Sequence, residues 1–119
     1  MVAVGECGTD YDRMFSSKED QKQVFRAHME IASQYNLPVF LHCRDKVENG
    51  QRFIECHQDF LAILKEFPTV KKVVHCFTDD RLNVLQDLLR QPFTYIGITG
   101  WITDSRRGNK KLLFLVTNI

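Results

Sequence analysis

Glu6, His42 and His75 stand where a chain can assemble a metal centre. Each follows a short β-type run: Met1–Val4, Pro38–Leu41 and Val70–Val74. Carboxylate and neutral imidazole are good donors to divalent zinc, manganese or iron, and three such ligands leave coordination positions for water. Any one of them alone is accounted for as a polar residue capping a strand end. Three at the same place in successive strands make metal ligation the stronger reading. Side chains alternate along a strand, so Val4 goes with Glu6, Phe40 with His42 and Val73 with His75. Ligand and buried apolar residue are expected to point inward together, with Cys7, Cys43 and Cys76 directed the other way.

Other residues near these strand ends carry supporting chemistry. Arg44, two positions after His42, offers a guanidinium fork suited to a phosphodiester, and Arg106 is a second candidate for substrate binding. Arg107, Lys110 and Lys111 read as a solvated basic loop. Asp10 and Asp45 are candidates to orient the ligands from behind. His28 and His57 fall on helical stretches and carry no expected function. His75-Cys76 resembles the opening of an H-C-x₅-R phosphatase loop, but position 82 is Leu, Arg81 falls one residue short, and no Gly permits the tight loop. From Cys43 the equivalent position is Asn49, so cysteine-phosphatase chemistry fails at both.

These residues need strands and crossovers to position them. Met1–Val4 is expected as a strand that stops at the loop Gly5-Glu6-Cys7-Gly8. Ser16 or Ser17 then caps an amphipathic helix over Lys18–Tyr35, with Val24, Phe25, Ala27, Ile31, Ala32 and Tyr35 as its apolar face and Asn36 as its end. Pro38–Leu41 is the second strand. Phe53, Ile54, His57, Phe60, Leu61 and Leu64 line a second helix before Pro68. Val70–Val74 is the third strand, Leu82–Leu89 the third helix, stopped by Pro92, and Phe93–Ile96 the fourth strand. A last helix would use Leu112, Leu113, Leu115 and Val116. The candidate ligands lie roughly 35 positions apart, long enough for one right-handed βα crossover between parallel neighbours. The fold class is therefore α/β, with about four parallel strands and intervening helices, and the candidate residues gather at the C-terminal strand ends where such folds place active sites.

Composition narrows the setting. Apolar residues are 44% and charged residues 26%, as in a folded globular chain. Sixteen basic against fifteen acidic residues leave a net charge of +1, so no overall basic field draws in nucleic acid; a nucleic-acid role must come from a local site. The longest apolar run, Leu112–Val116, is far short of the roughly 20 residues a membrane helix needs, and no secretory leader opens the sequence. The four cysteines are widely spaced and form no C-x-x-C pair, which points to a reducing compartment: cytoplasm or, in a eukaryote, nucleus.

Taken together, Val4-Gly5-Glu6-Cys7-Gly8-Thr9-Asp10-Tyr11, Pro38–Asp45, Val74-His75-Cys76-Phe77-Thr78 and Tyr95–Trp101 resemble, in order and spacing, the TatD family of metal-dependent deoxyribonucleases. Asp104–Gly108 continues the likeness. The resemblance implies a partial TIM-type (β/α) barrel, divalent ions (Mg, Mn or Zn, two in the complete enzyme) and 3′–5′ exonuclease action on DNA. It implies that Glu6 is the metal-bridging catalytic glutamate, that His42 and His75 are metal ligands, and that Arg44 steadies the phosphate. Thr9 departs from the family, which more often has an apolar residue there. The family's H-x-H strand and its later E-T-D-A-P block have no counterpart in these 119 residues. A single incomplete domain over 1–119 is expected, impaired in activity and prone to self-association through exposed sheet edges. The competing expectations are an amidohydrolase-type enzyme acting on a C–N or ester bond, and a non-enzymatic product.

Overall fold

A computed structural model of the chain describes residues 1–104 together with Lys111, Leu112 and Phe114. In chain order the elements are β1 (Val4–Asp10), α1 (Lys18–Tyr35), β2 (Val39–Arg44), β3 (Val47–Glu48), β4 (Gln51–Arg52), α2 (Glu55–Glu66), β5 (Lys72–Val74), α3 (Leu82–Leu89) and β6 (Thr94–Ile96), followed by a 3₁₀ turn over Gly100–Thr103. Four strands form one sheet in the order β1-β2-β5-β6, every pair parallel. The expected alternation of strand and helix is therefore present. Of the expected last helix, Leu112 is buried, while Leu113, Leu115 and Val116 lie outside the described residues.

Helix α1 has the expected bounds for local reasons. The Ser17 hydroxyl accepts from the Asp20 N–H at 3.1 Å, and Glu19 and Asp20 place negative charge on the positive end of the helix. Asn36, at φ 51°, closes it in the left-handed conformation that Asn tolerates. The buried stripe is Phe25, Met29 and Ala32, whereas Val24, Ile31 and Tyr35 are exposed. The run of apolar residues suggested a face rotated by about one position from the real one. Phe25 stacks on Phe60 of α2, ring centroids 5.1 Å apart, and this pair is the centre of the core between helices and sheet. Helix α2 starts at Glu55, so Phe53 and Ile54 precede it rather than joining its apolar face.

Two strand expectations are corrected. Strand β1 does not end at Val4; it runs to Asp10, and the Gly5–Gly8 segment lies inside it. The expected sharing of faces also fails in part. Val39 and Leu41 of β2 are fully buried against the helices, while Phe40, on the side of His42, is 42% exposed. The candidate ligands thus occupy the open face of the sheet, not the face packed in the core. In β1 the parity breaks altogether: Val4 and Cys7 are both in the core, because the register against β2 shifts between Gly5 and Cys7. A third feature went unread in the sequence. Asn49 (φ 50°) and Gly50 (φ 75°) form a two-residue turn that pairs β3 with β4, Val47 facing Arg52 and Glu48 facing Gln51. Asn-Gly is the strongest short-range hairpin signal, because both turn positions need positive φ.

Gly8 is where β1 lies closest to β2. It has φ +136°, and a Cβ there would run into the backbone carbonyl oxygen of His42. That φ is essentially reserved for glycine. Gly8→Ala should therefore lower the unfolding free energy by about 2 kcal/mol or more in urea denaturation. A change within about 0.5 kcal/mol, the range of an ordinary surface substitution, would contradict this account of the β1–β2 contact.

Candidate metal centre

The β1 bulge delivers Glu6 to the two histidines. With Val4 and Cys7 both turned into the core, the intervening Glu6 is free to lean over the C-terminal ends of β2 and β5. Its Oε1 lies 2.7 Å from His75 Nε2 and 3.6 Å from His42 Nδ1. One donor atom from each of Glu6, His42 and His75 lies within 4.8 Å of the others. The Glu6 side chain is 51% exposed and each histidine 22%, so the cluster is reachable from solvent. All three line a cavity of about 670 Å³ with Arg13, Arg44 and Trp101 on its walls.

Supporting contacts fix the two rings differently. His42 Nε2 lies 3.1 Å from Asp10 Oδ2, so the carboxylate accepts a hydrogen bond from Nε2–H and leaves Nδ1 facing Glu6. Asp10 is itself held: Oδ1 accepts from the Asp12 and Arg13 N–H groups, and Gln21 of α1 brackets its backbone N–H and carbonyl. Burial pushes the Asp10 carboxyl up, but the Arg13 N–H, His42 and Arg44 outweigh this and hold it below its ordinary 3.8. His75 is backed by the Phe40 ring, stacked at 4.5 Å between centroids. Arg44 reaches Asp10 Oδ2 at 3.5 Å, with its side chain 38% exposed.

The sequence-chosen residues divide cleanly. Glu6, His42, His75, Asp10 and Arg44 are brought together. Arg106 lies outside the described residues. Asp45 does not approach the cluster: its Oδ1 accepts from the His57 N–H at the start of α2, and its Oδ2 from Arg81 at 2.7 Å. His28 bonds its own helix at the Val24 carbonyl. His57 is buried, with Nε2 at 3.4 Å from Asp87.

Sequence reasoning missed the clamp centred on Arg81, which it weighed only as a failed phosphatase arginine. Arg81 grips Asp79 through Nε and Nη2, Asp45 through Nη2, and the Phe53 carbonyl through Nη1. The loop after β5 is thereby tied to the segment after β2, next to the ligand-bearing strand ends. The Asp79-Asp80-Arg81 run carried the only sequence trace of it.

With the geometry in hand, comparison with known proteins decides the family. The sequence model described as TatD related DNase matches residues 1–117. The chain belongs to the TatD-related DNase family. It is 46% identical over 112 residues to a protein of Erwinia tasmaniensis named 3′-5′ ssDNA/RNA exonuclease TatD, covering 92% of this chain and 39% of that one. A protein of the same name from Escherichia fergusonii is 42% identical over 112 residues, covering 91% and 38%. Among solved structures, the crystal structure of a TatD homologue from Escherichia coli K12 superposes with a TM-score of 0.74 at 27% identity, over 100% of this chain and 41% of that one. The sheet described here is a portion of the TIM-type barrel, and the chain spans about two-fifths of the length of the curated TatD relatives it matches. Among the described residues no helix is long and apolar enough to cross a membrane.

The Arg81 clamp gives a pH-dependent prediction. Asp79 is desolvated, which pushes its carboxyl up, but the hydrogen bonds and charge of Arg81, with Arg52, hold it below its ordinary 3.8. A carboxyl with a depressed folded-state value contributes stability above its unfolded value and loses it as pH falls through the folded one. Arg81→Met should cost about 3 kcal/mol at neutral pH, because two carboxylates, 3% and 11% exposed, lose their counter-charge. The gap between variant and wild type should narrow as pH drops below about 3.8 and through the depressed Asp79 range, where that carboxyl protonates. A gap that stays constant down to pH about 2.5 would show that charge is not what the arginine supplies.

Proposed function

We propose that this chain carries part of the centre of a metal-dependent nuclease that hydrolyses DNA phosphodiester bonds in the 3′–5′ exonuclease manner. The observation that supports it best is the meeting of Glu6, His42 and His75 donor atoms within 4.8 Å on the open face of three adjacent parallel strands. The donor set, one carboxylate and two imidazoles, suits Mg²⁺, Mn²⁺ or Zn²⁺, and the contact between Glu6 and His75 Nε2 is one that a cation replaces by displacing a proton. A bound divalent ion supplies Lewis acidity toward the phosphoryl oxygen and makes water a stronger nucleophile.

The chain's own residues do the positioning. Asp10 holds the His42 proton on Nε2, so that the Nδ1 lone pair faces Glu6, where the two would hold a divalent ion. Phe40 fixes the plane of His75. Glu6, the most exposed of the three, accepts the proton that the attacking water gives up. Arg44, tethered through Asp10, donates to a phosphate oxygen and sets the scissile bond in the cavity.

Two edges, β1 and β6, lack a strand neighbour in the sheet of the described residues. Such edges favour pairing with another chain, so the 119 residues alone are read as an impaired enzyme that self-associates.

Release of nucleotides from a 5′-labelled DNA oligomer is the direct test. The chain with Mg²⁺ or Mn²⁺ should shorten the oligomer from its 3′ end, EDTA should stop it, and His75→Ala or Glu6→Gln should slow it by at least about 100-fold. Release should rise more steeply than in proportion to protein concentration if chains complete one another's sites. Release that persists in EDTA, or in His75→Ala, would sink the proposal. A second test separates orientation from ligation. Asp10→Asn should weaken Mn²⁺ binding about 10-fold or more in calorimetry, with the unfolding midpoint in the absence of metal little changed. Unchanged affinity would remove Asp10 from the centre.

A further inference from the structure

Behind the ligand-bearing strand ends lies a second reactive cluster that the nuclease reading does not use. Cys43 of β2 and Cys56 in the first turn of α2 place their sulfurs 3.9 Å apart. Both are free thiols. The Cys56 S–H donates to the Thr9 hydroxyl at 3.1 Å, and this chain of contacts holds all three side chains in one place. Thr9 is buried, and its position gives this hydroxyl a use that an apolar residue there would not supply. Cys56 is fully buried, while Cys43 is half-buried and lines the cavity shared with Glu6, His42 and His75. Cys43 is thus the member of the pair on the cavity wall, with its thiol turned toward Cys56.

We infer that Cys43 and Cys56 are a redox modification site, converted by hydroperoxides into an intramolecular disulfide and returned by thiols. A disulfide needs its sulfurs about 2.05 Å apart, so closing the bond asks for a shift of just under about 2 Å, within reach of side-chain rotation and a small movement of the helix start. The chemistry balances with peroxide as the two-electron oxidant. One thiol takes an oxygen from the hydroperoxide to become a sulfenic acid, and the hydroperoxide leaves as water or alcohol. The second sulfur then displaces the sulfenic hydroxyl, which departs with that thiol's proton as a further water. Reduction by two equivalents of an external thiol reverses both losses.

Cys7 and Cys76 serve as internal controls. Neither makes a hydrogen bond to another cysteine sulfur: Cys7 packs in the core, and Cys76 faces Thr99 at 3.6 Å. The bridge would also fasten the end of β2, one residue from His42, to the start of α2, and would enclose the β3–β4 hairpin in its loop. The redox state of the pair is therefore built against the strand that carries a candidate ligand, but the modification itself does not depend on metal binding or on nuclease activity.

The test is thiol mapping of the 119-residue chain after graded hydrogen peroxide, with iodoacetamide added at the end and peptides read by mass spectrometry. The expected result is one cross-linked peptide pair joining Cys43 to Cys56, loss of two hydrogens from the intact mass, alkylated Cys7 and Cys76, and full reversal by dithiothreitol. Cys56→Ser should abolish the cross-link and leave Cys43 as a sulfenic acid trapped by dimedone. Cys43→Ser gives the reciprocal check should the first variant fail to fold. Bridges scattered among all four cysteines, chains joined to one another on a non-reducing gel, or both thiols still alkylated after Cys76 has oxidised, would each overturn the inference.

Discussion

Strand β1 approaches β2 so closely that two of its residues have no room for a side chain. Gly5 faces the Phe40 backbone and Gly8 the His42 backbone, both at φ values near +137° that only glycine adopts freely. Between them the register slips, and the slip turns both Val4 and Cys7 into the core. A regular strand would have paired Glu6 with Val4 on one face; the bulge lets it stand over the ends of the next two strands instead. The hydrophobic contribution of Val4 and Cys7 anchors the strand from below, and the missing Cβ atoms allow the approach from the side. The Glu6–His75 contact is a consequence of that backbone arrangement rather than its cause.

Stability and chemistry are then divided between the two faces of the same sheet. Val39, Leu41 and Val74 face the helices and meet the Phe25–Phe60 stack, Met29 and Leu85. Phe40, His42 and His75 face the other way, where Phe40 keeps 42% of its surface exposed. A parallel sheet in a barrel is apolar on both sides, and the uncovered Phe40 ring marks the inner side of the barrel wall. Its exposed surface still does something here, because it backs the His75 imidazole.

Much of this arrangement was legible. Helix α1 has the bounds that its caps, Ser17 and Asn36, dictate, and the alternation of strand and helix follows from runs and breakers alone. Glu6, His42 and His75 were legible as a group because each follows a short apolar run, and parallel neighbours bring equivalent positions together, although Glu6 and His42 lie inside β1 and β2 rather than at their ends. The bulge was not, since a glycine in a strand-like run is as easily the sign of a loop, which is how Gly5–Gly8 was read. The true face of α1 was obscured by Val24, Ile31 and Tyr35, whose apolar character competes with that of Met29. The hairpin was legible and overlooked: Asn49-Gly50 is a local signal with a steric cause. The Arg81 clamp was beyond local reading, because Asp45 and Phe53 meet Arg81 only after the strands have paired.

That clamp and the candidate centre pose one electrostatic problem with two solutions. Asp45 and Asp79 sit at 3% and 11% exposure, a burial that is tolerable only with a cation at hydrogen-bond distance, and Arg81 brings that cation on the chain itself. Glu6 and Asp10 both reach His42, but here, among the described residues, the nearest fixed cation is Arg44, 3.5 Å from Asp10. Among the described residues Glu6 pairs only with the two imidazoles and stays half exposed. Among the described residues the charge balance is thus completed internally at one site, where it ties two loops together, and left incomplete a few residues away. An incomplete balance of carboxylate and imidazole at a solvent-open strand end is the electrostatic condition that favours taking up a divalent cation, and it arises here from the same β1 bulge that displaced Glu6.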